Sequence, residues 1–404
     1  MEKLIERPYY INMISPFIGK NVIKVLTGQR RVGKSCILKQ LANKIAETNA
    51  DANIISINKE LENFAFIHTH DDLSKYVGEQ LKSGVANYLF IDEVQDIEGF
   101  EVTLRSLQAS EACDIYITGS NAKMFSSELS THLSGRYVEF PIHSLSYDEF
   151  LVFHHLEPSN QSLRDYLLYG GMPYLTHLPL ERDIVFEYLQ NVYNTILLKD
   201  VVKREGIRNV DFLETLALYT ADNVGNLFSA NNISKYLKSQ HVNTSPTQII
   251  NYLRAMQNAY LIQKVRRVDI NGLRMFEIGG KCYFEDLGLR NGRLSSSVQQ
   301  DINKLIENAI YLHLCQQRFK VFTGQMSDGK EVDFVGLHDD QRIYVQATYL
   351  MVDEATRKRE FGNLNAISDN YPKYVVSLDE WTSGSNVDGI QHVHLGDFLR
   401  MKLA

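Results

Sequence analysis

Residues 28–35 read GQRRVGKS, a glycine, four residues, then glycine, lysine and serine. This spacing suits a loop that wraps phosphate. Gly28 and Gly33 let the backbone curl until successive N–H groups face one anion. Lys34 would then reach the β- and γ-phosphates of a nucleotide, and Ser35 would offer its hydroxyl to Mg²⁺. A second reactive pair, Asp92 and Glu93, follows the apolar residues of YLFIDEVQD. An acid at Asp92 can hold Mg²⁺ directly or through water, and Glu93 can polarise an attacking water as general base. The expected ligand is ATP with Mg²⁺. The nucleotide would lie on Gly28, Gln29, Arg30, Arg31, Val32, Gly33, Lys34, Ser35 and Cys36, and the metal on Ser35 and Asp92. The charges of Arg30 and Arg31 favour the approach of an anion.

Each residue needs an element to position it. VIKVLTG, residues 22–28, is apolar and rich in β-branched residues, so it reads as a buried strand. After the loop, Ile37, Leu38, Leu41 and Ile45 recur on one helical face, so the loop opens a helix whose positive end faces the phosphate. Tyr88–Ile91 predicts a second buried strand ahead of the acids. DIYITGSNA, residues 114–122, predicts a third, with Ser120 and Asn121 just beyond its carboxyl end, where open α/β sheets bind ligands. Asn121 is a candidate to read the γ-phosphate or position water. Arg136 lies before a fourth apolar strand and could stabilise transition-state charge, in its own subunit or in a neighbour of a homo-oligomer.

A further constellation lies near the end of the chain. EVDFVGL and RIYVQATYL read as two strands around a polar turn, with Asp333 on the first and Gln346 on the second. With Glu307 on the preceding helix, they match part of a phosphodiester-cutting metal site. Such a site wants a lysine two residues beyond Gln346, and Thr348 stands there. A lysine from elsewhere, Lys330 or Lys358 among them, could substitute. Gln346 offers a metal one neutral oxygen and no charge. The reading favoured is therefore a degenerate nuclease fold that binds a partner or nucleic acid. Val332, Phe334, Val345 and Tyr349 pattern as buried strand positions.

The whole chain sets bounds on these readings. At roughly 150 residues per domain, 404 residues make two or three domains. A net charge of −7 gives no chain-wide nucleic-acid signal, so any such surface must be a local basic patch. The four cysteines are widely spaced, which suits a reducing compartment and no zinc site. The N-terminus is polar, without the apolar run of a leader, and nothing is long and apolar enough to span a membrane. A cytoplasmic location is the default.

TGQRRVGKS, YLFIDEVQD, ITGSN and LSGRYVEFPIHSLSYDEF together resemble the prokaryotic AAA-type ATPases that carry a C-terminal domain of unknown function. The likeness continues through YGGMPY, KCYFEDLGLRN, LIENAIYLHL, EVDFVG and YVQATY. It implies ATP binding and hydrolysis, with Lys34, Ser35, Asp92 and Glu93 in their usual roles, and a helical lid over the nucleotide.

The expected architecture is α/β. Residues 1–205 form a P-loop NTPase parallel sheet with helical lid, 206–292 a winged-helix domain, and 293–404 a restriction-endonuclease-like α/β domain. The middle segment carries three helical runs and two strands joined through Asn271-Gly272, a hairpin signal. In the third helix Ser245 should cap the N-terminus. The exposed set Gln248, Asn251, Arg254 and Asn258, with Lys264, Arg266, Arg267 and Arg274 on the wing, could contact DNA. A protein partner is the competing reading, for this segment and for the C-terminal domain.

Overall fold

The computed structural model describes residues 4–122, 133, 135–240, 242, 244–270, 272–294, 298–351, 354–380 and 383–403. Of the predicted wing turn, Asn271 lies outside the described residues. The chain divides into two compact units, Met1–His143 with Asn258–Tyr260, and Ser144–Gln257 with Leu261–Ala404.

The first unit is built on a five-stranded sheet in the order β2-β3-β4-β1-β5. Its strands are β1 (Ile23–Thr27), β2 (Asn53–Asn58), β3 (Asn87–Asp92), β4 (Asp114–Gly119) and β5 (Tyr137–Pro141). Every pairing is parallel. A parallel sheet covered on both faces needs strands apolar on both sides, and β1 is buried along its whole length. Helices α1 (Pro8–Ile14), α2 (Lys34–Thr48), α3 (His70–Gln80) and α4 (Phe100–Ala109) belong to the same unit. Ile37, Leu38, Leu41 and Ile45 are the buried stripe of α2, as their spacing predicts. Strand residues Val25, Leu89, Ile91, Ile115 and Ile117 share one core with Leu73, Val77, Phe100 and Leu104. Because the strands are parallel, their carboxyl ends share one edge. Thr27 registers with Gly119, and Asn58 with Asp92.

The second unit begins with α5 (Tyr147–His154), α6 (Asn160–Tyr169) and α7 (Arg182–Thr195). The sequence predicts helices here, as a lid continuous with the first unit. Their partners lie within the second unit. Helix α11 (Leu287–Leu294) bonds to them through Asn291, which donates to the Leu167 and Leu168 carbonyls, and Gln190 of α7 donates to the Gly292 carbonyl. Between them lie α8 (Val210–Asp222), α9 (Ala230–Ser239), α10 (Pro246–Asn258) and the antiparallel hairpin β6 (Ile262–Asp269) and β7 (Met275–Phe284). Ser245 caps α10, its hydroxyl accepting from Gln248 N at 3.2 Å. Ile249, Leu253 and Met256 are buried.

Then follow α12 (Val298–Gln316), β8 (Lys320–Gln325), β9 (Glu331–His338), β10 (Gln341–Ala347), α13 (Glu354–Asn365), β11 (Lys373–Ser377), β12 (Asn386–Val387), β13 (Ile390–His394) and α14 (Leu395–Phe398). The hairpin does not stand apart from them. β6 pairs with β8 in parallel, so one eight-stranded sheet runs β12-β13-β11-β10-β9-β8-β6-β7. The boundaries expected near 205 and 292 therefore fall inside this unit. Val332, Phe334 and Val345 are buried, whereas Tyr349 is exposed, because β10 ends at Ala347.

Candidate nucleotide site and a carboxylate–lysine centre

The Gly28–Ser35 loop connects β1 to α2 at the carboxyl edge of the sheet. Gly28 has φ 139°, and a Cβ there would lie 2.1 Å from the Ile142 carbonyl oxygen. Gly33 sits at φ 94° as the residue before α2. Both glycines are thus demanded by geometry. Lys34 is buried and its ammonium donates to the Gly28 and Gln29 carbonyls at 2.9 and 2.8 Å. Arg7 braces the loop from outside by donating to the Val32 carbonyl at 3.0 Å. The Gln29 amide is buried, with both polar atoms lacking a hydrogen-bond partner. Cys36 is exposed on the first turn of α2.

The two acids stand beside this loop. The Asp92 carboxylate accepts from Thr118 Oγ1 at 2.6 Å and also from the Ser35 hydroxyl. Burial pushes the Asp92 carboxyl up, against those two bonds. A hydroxyl and a carboxylate already in contact are the donor set a phosphate-bound Mg²⁺ requires, so these residues fit the metal. Glu93 takes the left-handed conformation, φ 56°, with its N–H held by Thr118 Oγ1 at 2.9 Å. Its carboxylate accepts from Ser120 Oγ at 2.9 Å and from the Gln95 amide. Burial alone would raise the Glu93 carboxyl, but Lys34, Arg30 and the hydrogen bonds from Ser120 and Gln95 together offset it and hold it below its ordinary value.

The remaining candidates separate in space. Asn121 is half-buried just past the carboxyl end of β4. Arg30 is buried and pairs with Glu60 at 3.3 Å, whereas Arg31 is exposed at φ 70°. Arg136 is exposed at the opposite edge of the sheet. Its carbonyl accepts from Ile23 N at 2.9 Å, and Tyr137 registers with Ile23 at the start of β1. At about 3.3 Å per residue, the length of β1 separates Arg136 from the loop by roughly 15 Å. Its backbone thus lies at the end of β1 remote from the loop.

A second polar centre lies in the other unit. Lys281, on β7, is 4 % exposed, and its ammonium meets Glu307 of α12 at 2.8 Å, Glu331 of β9 at 2.7 Å and Asp333 of β9 at 3.0 Å. Tyr283 donates to Glu307 at 2.6 Å, and Asp333 accepts from Ala347 N at 3.0 Å. Gln346 is buried beside them, its Oε1 3.4 Å from Asp333 N, and Glu360 of α13 bonds to it. Burial would lower Lys281, but Asp333, Glu307 and Glu331 raise it well above its ordinary value. Burial and the nearby Asp333 push the Glu307 carboxyl up.

Neither lysine suggested by the sequence stands here. Lys330 pairs with Asp328 on the surface, and Lys358 is exposed. The sequence reading missed Lys281. The signal was a charge inside the strand KCYF, where alternation puts Lys281 and Tyr283 on one face.

The surface proposed for nucleic acid is partly as expected. Asn251, Arg254, Lys264, Arg266 and Arg274 are exposed. Gln248 and Asn258 are half-buried, and Arg267 is tied to Gln325. Among the described residues, no helix is long and apolar enough to cross a membrane.

Comparison with known proteins adds a family to this geometry. A family model described as an AAA domain matches residues 20–151, and one described as a domain of unknown function (DUF8612) matches residues 160–307. An uncharacterized protein of Haemophilus influenzae is 32% identical over 404 residues, covering 98% of both chains. The uncharacterized protein MJ1544 of Methanocaldococcus jannaschii is 28% identical over 376 residues, 89% of this chain and 80% of its own. Among solved structures, the Aeropyrum pernix ORC1 protein in complex with DNA aligns at 10% identity and a TM-score of 0.34, over 75% of this chain and 95% of that one. A likeness at that score is loose.

Proposed function

This chain belongs to the AAA-type P-loop ATPases that carry a C-terminal domain of unknown function, and from that premise we propose that it binds ATP with Mg²⁺ and hydrolyses it as a motor or switch. The observation that carries this reading is the pair of unlike acids at the end of β3. Asp92 shares a hydrogen bond with the Ser35 hydroxyl, while Glu93, one residue on, is buried yet held charged. A metal-holding carboxylate and a separate ionised base are what hydrolysis asks of this edge. The loop N–H groups and the start of α2 would cradle the phosphates. Lys34 would exchange the loop carbonyls for β- and γ-oxygens. Ser35 and Asp92 would hold Mg²⁺, which neutralises phosphate charge. Glu93 would take a proton from water aligned with the γ-phosphate, with Ser120, Gln95 and Asn121 as polar neighbours that orient the two.

The test is nucleotide binding and turnover in three proteins. Wild type should bind and hydrolyse ATP. Lys34→Ala should lose binding. Glu93→Gln should bind and turn over at least roughly a hundredfold more slowly. Normal turnover by Glu93→Gln would place the base elsewhere.

The output would pass through the second unit, read as a winged-helix segment joined to a degenerate nuclease-like fold. Exposed Asn251, Arg254, Arg266 and Arg274 support contact with DNA phosphates and base edges. If they act so, affinity falls steeply with salt, and Arg266→Ala with Arg274→Ala flattens the slope. No DNA binding at low salt would favour a protein partner. The competing reading of an ATP-regulated nuclease is weakened by Lys281. Its ammonium is already shared among the carboxylates a metal would need. Incubation with supercoiled, branched and single-stranded DNA in Mg²⁺ and Mn²⁺ should yield no cleavage. Cutting that disappears in Asp333→Ala would reverse this.

A further inference from the structure

A cavity of about 220 Å³ opens at the carboxyl ends of three strands of the second unit. β10, β11 and β13 run parallel, with Ala347 in register with Val376 and Ser377 with His394. Tyr349 and Leu350 follow β10, Leu378 and Glu380 follow β11, and His394 ends β13. Leu378 N donates to the Tyr349 carbonyl at 3.0 Å, which holds two of these strand ends together. One face of α6 closes the cavity, with Asn160, Leu163, Arg164 and Leu167 spaced three and four residues apart, and Ile302 of α12 adds to it. This is the crevice in which open α/β sheets take ligands. Every lining residue belongs to the second unit, and none is a member of the carboxylate–lysine centre.

The lining divides by chemistry. Four leucines and Ile302 are apolar, and around them stand a cation, an anion and a neutral donor. Arg164 is exposed, and among the described residues its guanidinium has no hydrogen-bond or ion-pair partner. Glu380 accepts from the Asn160 amide and pairs with no cation among the described residues. Asn160 and Arg164 are one helical turn apart, so two opposite charges share one rim without pairing. His394 Nδ1 accepts from Gly396 N at 3.2 Å, which leaves the ring proton on Nε2 as a further donor. We propose that this cavity binds an α-amino acid with an apolar side chain. Its carboxylate meets Arg164 and His394 Nε2–H, its ammonium meets Glu380, and its side chain packs on the leucines and Ile302. Charge complementarity requires both poles. A plain carboxylate sets Glu380 beside a like charge, and a plain amine does the same to Arg164. Size sets the rest. A cavity of roughly 150 Å³ encloses a benzene ring, and drug-sized ligands fill roughly 300–1,000 Å³. The 220 Å³ here suits one molecule the size of leucine or phenylalanine and excludes a peptide chain.

The experiment titrates the full chain calorimetrically with L-leucine, L-phenylalanine and L-aspartate, with isocaproate, which is leucine without its ammonium, and with isoamylamine, which is leucine without its carboxylate. Leucine and phenylalanine should bind, and the other three should bind at least about tenfold more weakly or give no heat. Arg164→Gln and Glu380→Gln should each weaken leucine by at least about tenfold, and Arg164→Lys and Glu380→Asp should recover part of that loss. Both positions are exposed, so the variants should melt with wild type. Rescue by the residue of like charge separates a role in charge from one in packing. No binding of either apolar amino acid at millimolar concentration overturns the inference. So does isocaproate binding as tightly as leucine, which would make this a site for simple carboxylates. So does leucine binding that either charge-removing variant leaves unchanged, which would place it elsewhere. None of these readouts involves ATP, so the outcome is independent of the ATPase reading.

Discussion

At the scale of single residues, the nucleotide loop depends on atoms that are not there. Gly28 brings the chain so close to Ile142 that one methyl group would overlap its carbonyl oxygen at 2.1 Å. Gly19 also has a positive φ, 72°, but a Cβ there meets nothing within 4 Å. The two positions therefore separate steric from conformational cost. Gly19→Ala should cost about 1 kcal/mol of unfolding free energy through its φ alone. Gly28→Ala should cost about 1–3 kcal/mol more through forced displacement, and should abolish ATP binding by displacing the loop. Denaturant unfolding and nucleotide titration of the pair check this. Equal losses in both would mean that the close approach does not matter.

At the scale of elements, buried charges tie pieces of the second unit together. Lys281 joins the β6–β7 hairpin to α12 and β9. Lys281→Met would leave three carboxylates facing one another without their cation. Breaking a buried ion cluster from one side costs about 3–5 kcal/mol. Millimolar Mg²⁺ or Ca²⁺ should restore part of the loss in the variant and do little for wild type. Thermal unfolding with and without divalent cation reads this, and equal cation effects in the two proteins would refute it.

A second tie is Asp286, which accepts from Gly171 N at 2.8 Å and Leu289 N at 2.9 Å and joins the loop after α6 to the start of α11. Burial pushes its carboxyl up to about 6, against those bonds. The folded pKa exceeds the unfolded one, so the protonated form is favoured in the fold. Its stabilisation is complete below about pH 3.8 and is lost as pH rises through about 6. Asp286→Asn lacks that titration. The stability difference between wild type and variant should therefore shrink by on the order of 2–3 kcal/mol between pH 4 and 7. A pH-independent difference would show that Asp286 does not titrate in this window.

At the scale of the whole molecule, Arg136 raises the question of assembly. Its backbone stands at the edge of its sheet opposite the phosphate loop, which favours a role in hydrolysis at the loop of another copy. Arg136→Ala and Lys34→Ala proteins, each inactive alone, should then regain activity when mixed, because a mixed interface pairs an intact loop with an intact arginine. Two folded variants that stay inactive together would leave Arg136 with a structural role or none in catalysis.

The sequence by itself determined what neighbouring residues can decide. The P-loop glycines, the helix that follows, the apolar strand ending in two acids, and the cap at Ser245 all rest on local backbone chemistry and on periodicity, which short stretches encode in full. The family was legible for the same reason, since its motifs are contiguous. Tertiary structure alone decided what depends on residues far apart in the chain. Parallel pairing of β5 with β1 put Arg136 at the end of the sheet away from the phosphate loop. Pairing of β6 with β8 merged the hairpin into the C-terminal sheet. The same fold carried Lys281 to Glu307, Glu331 and Asp333, across separations of 26 to 52 residues that no spacing rule covers. Burial did the rest. It separated Arg30 from Arg31, neighbours of identical type, because one guanidinium was paired and enclosed while the other was left in water.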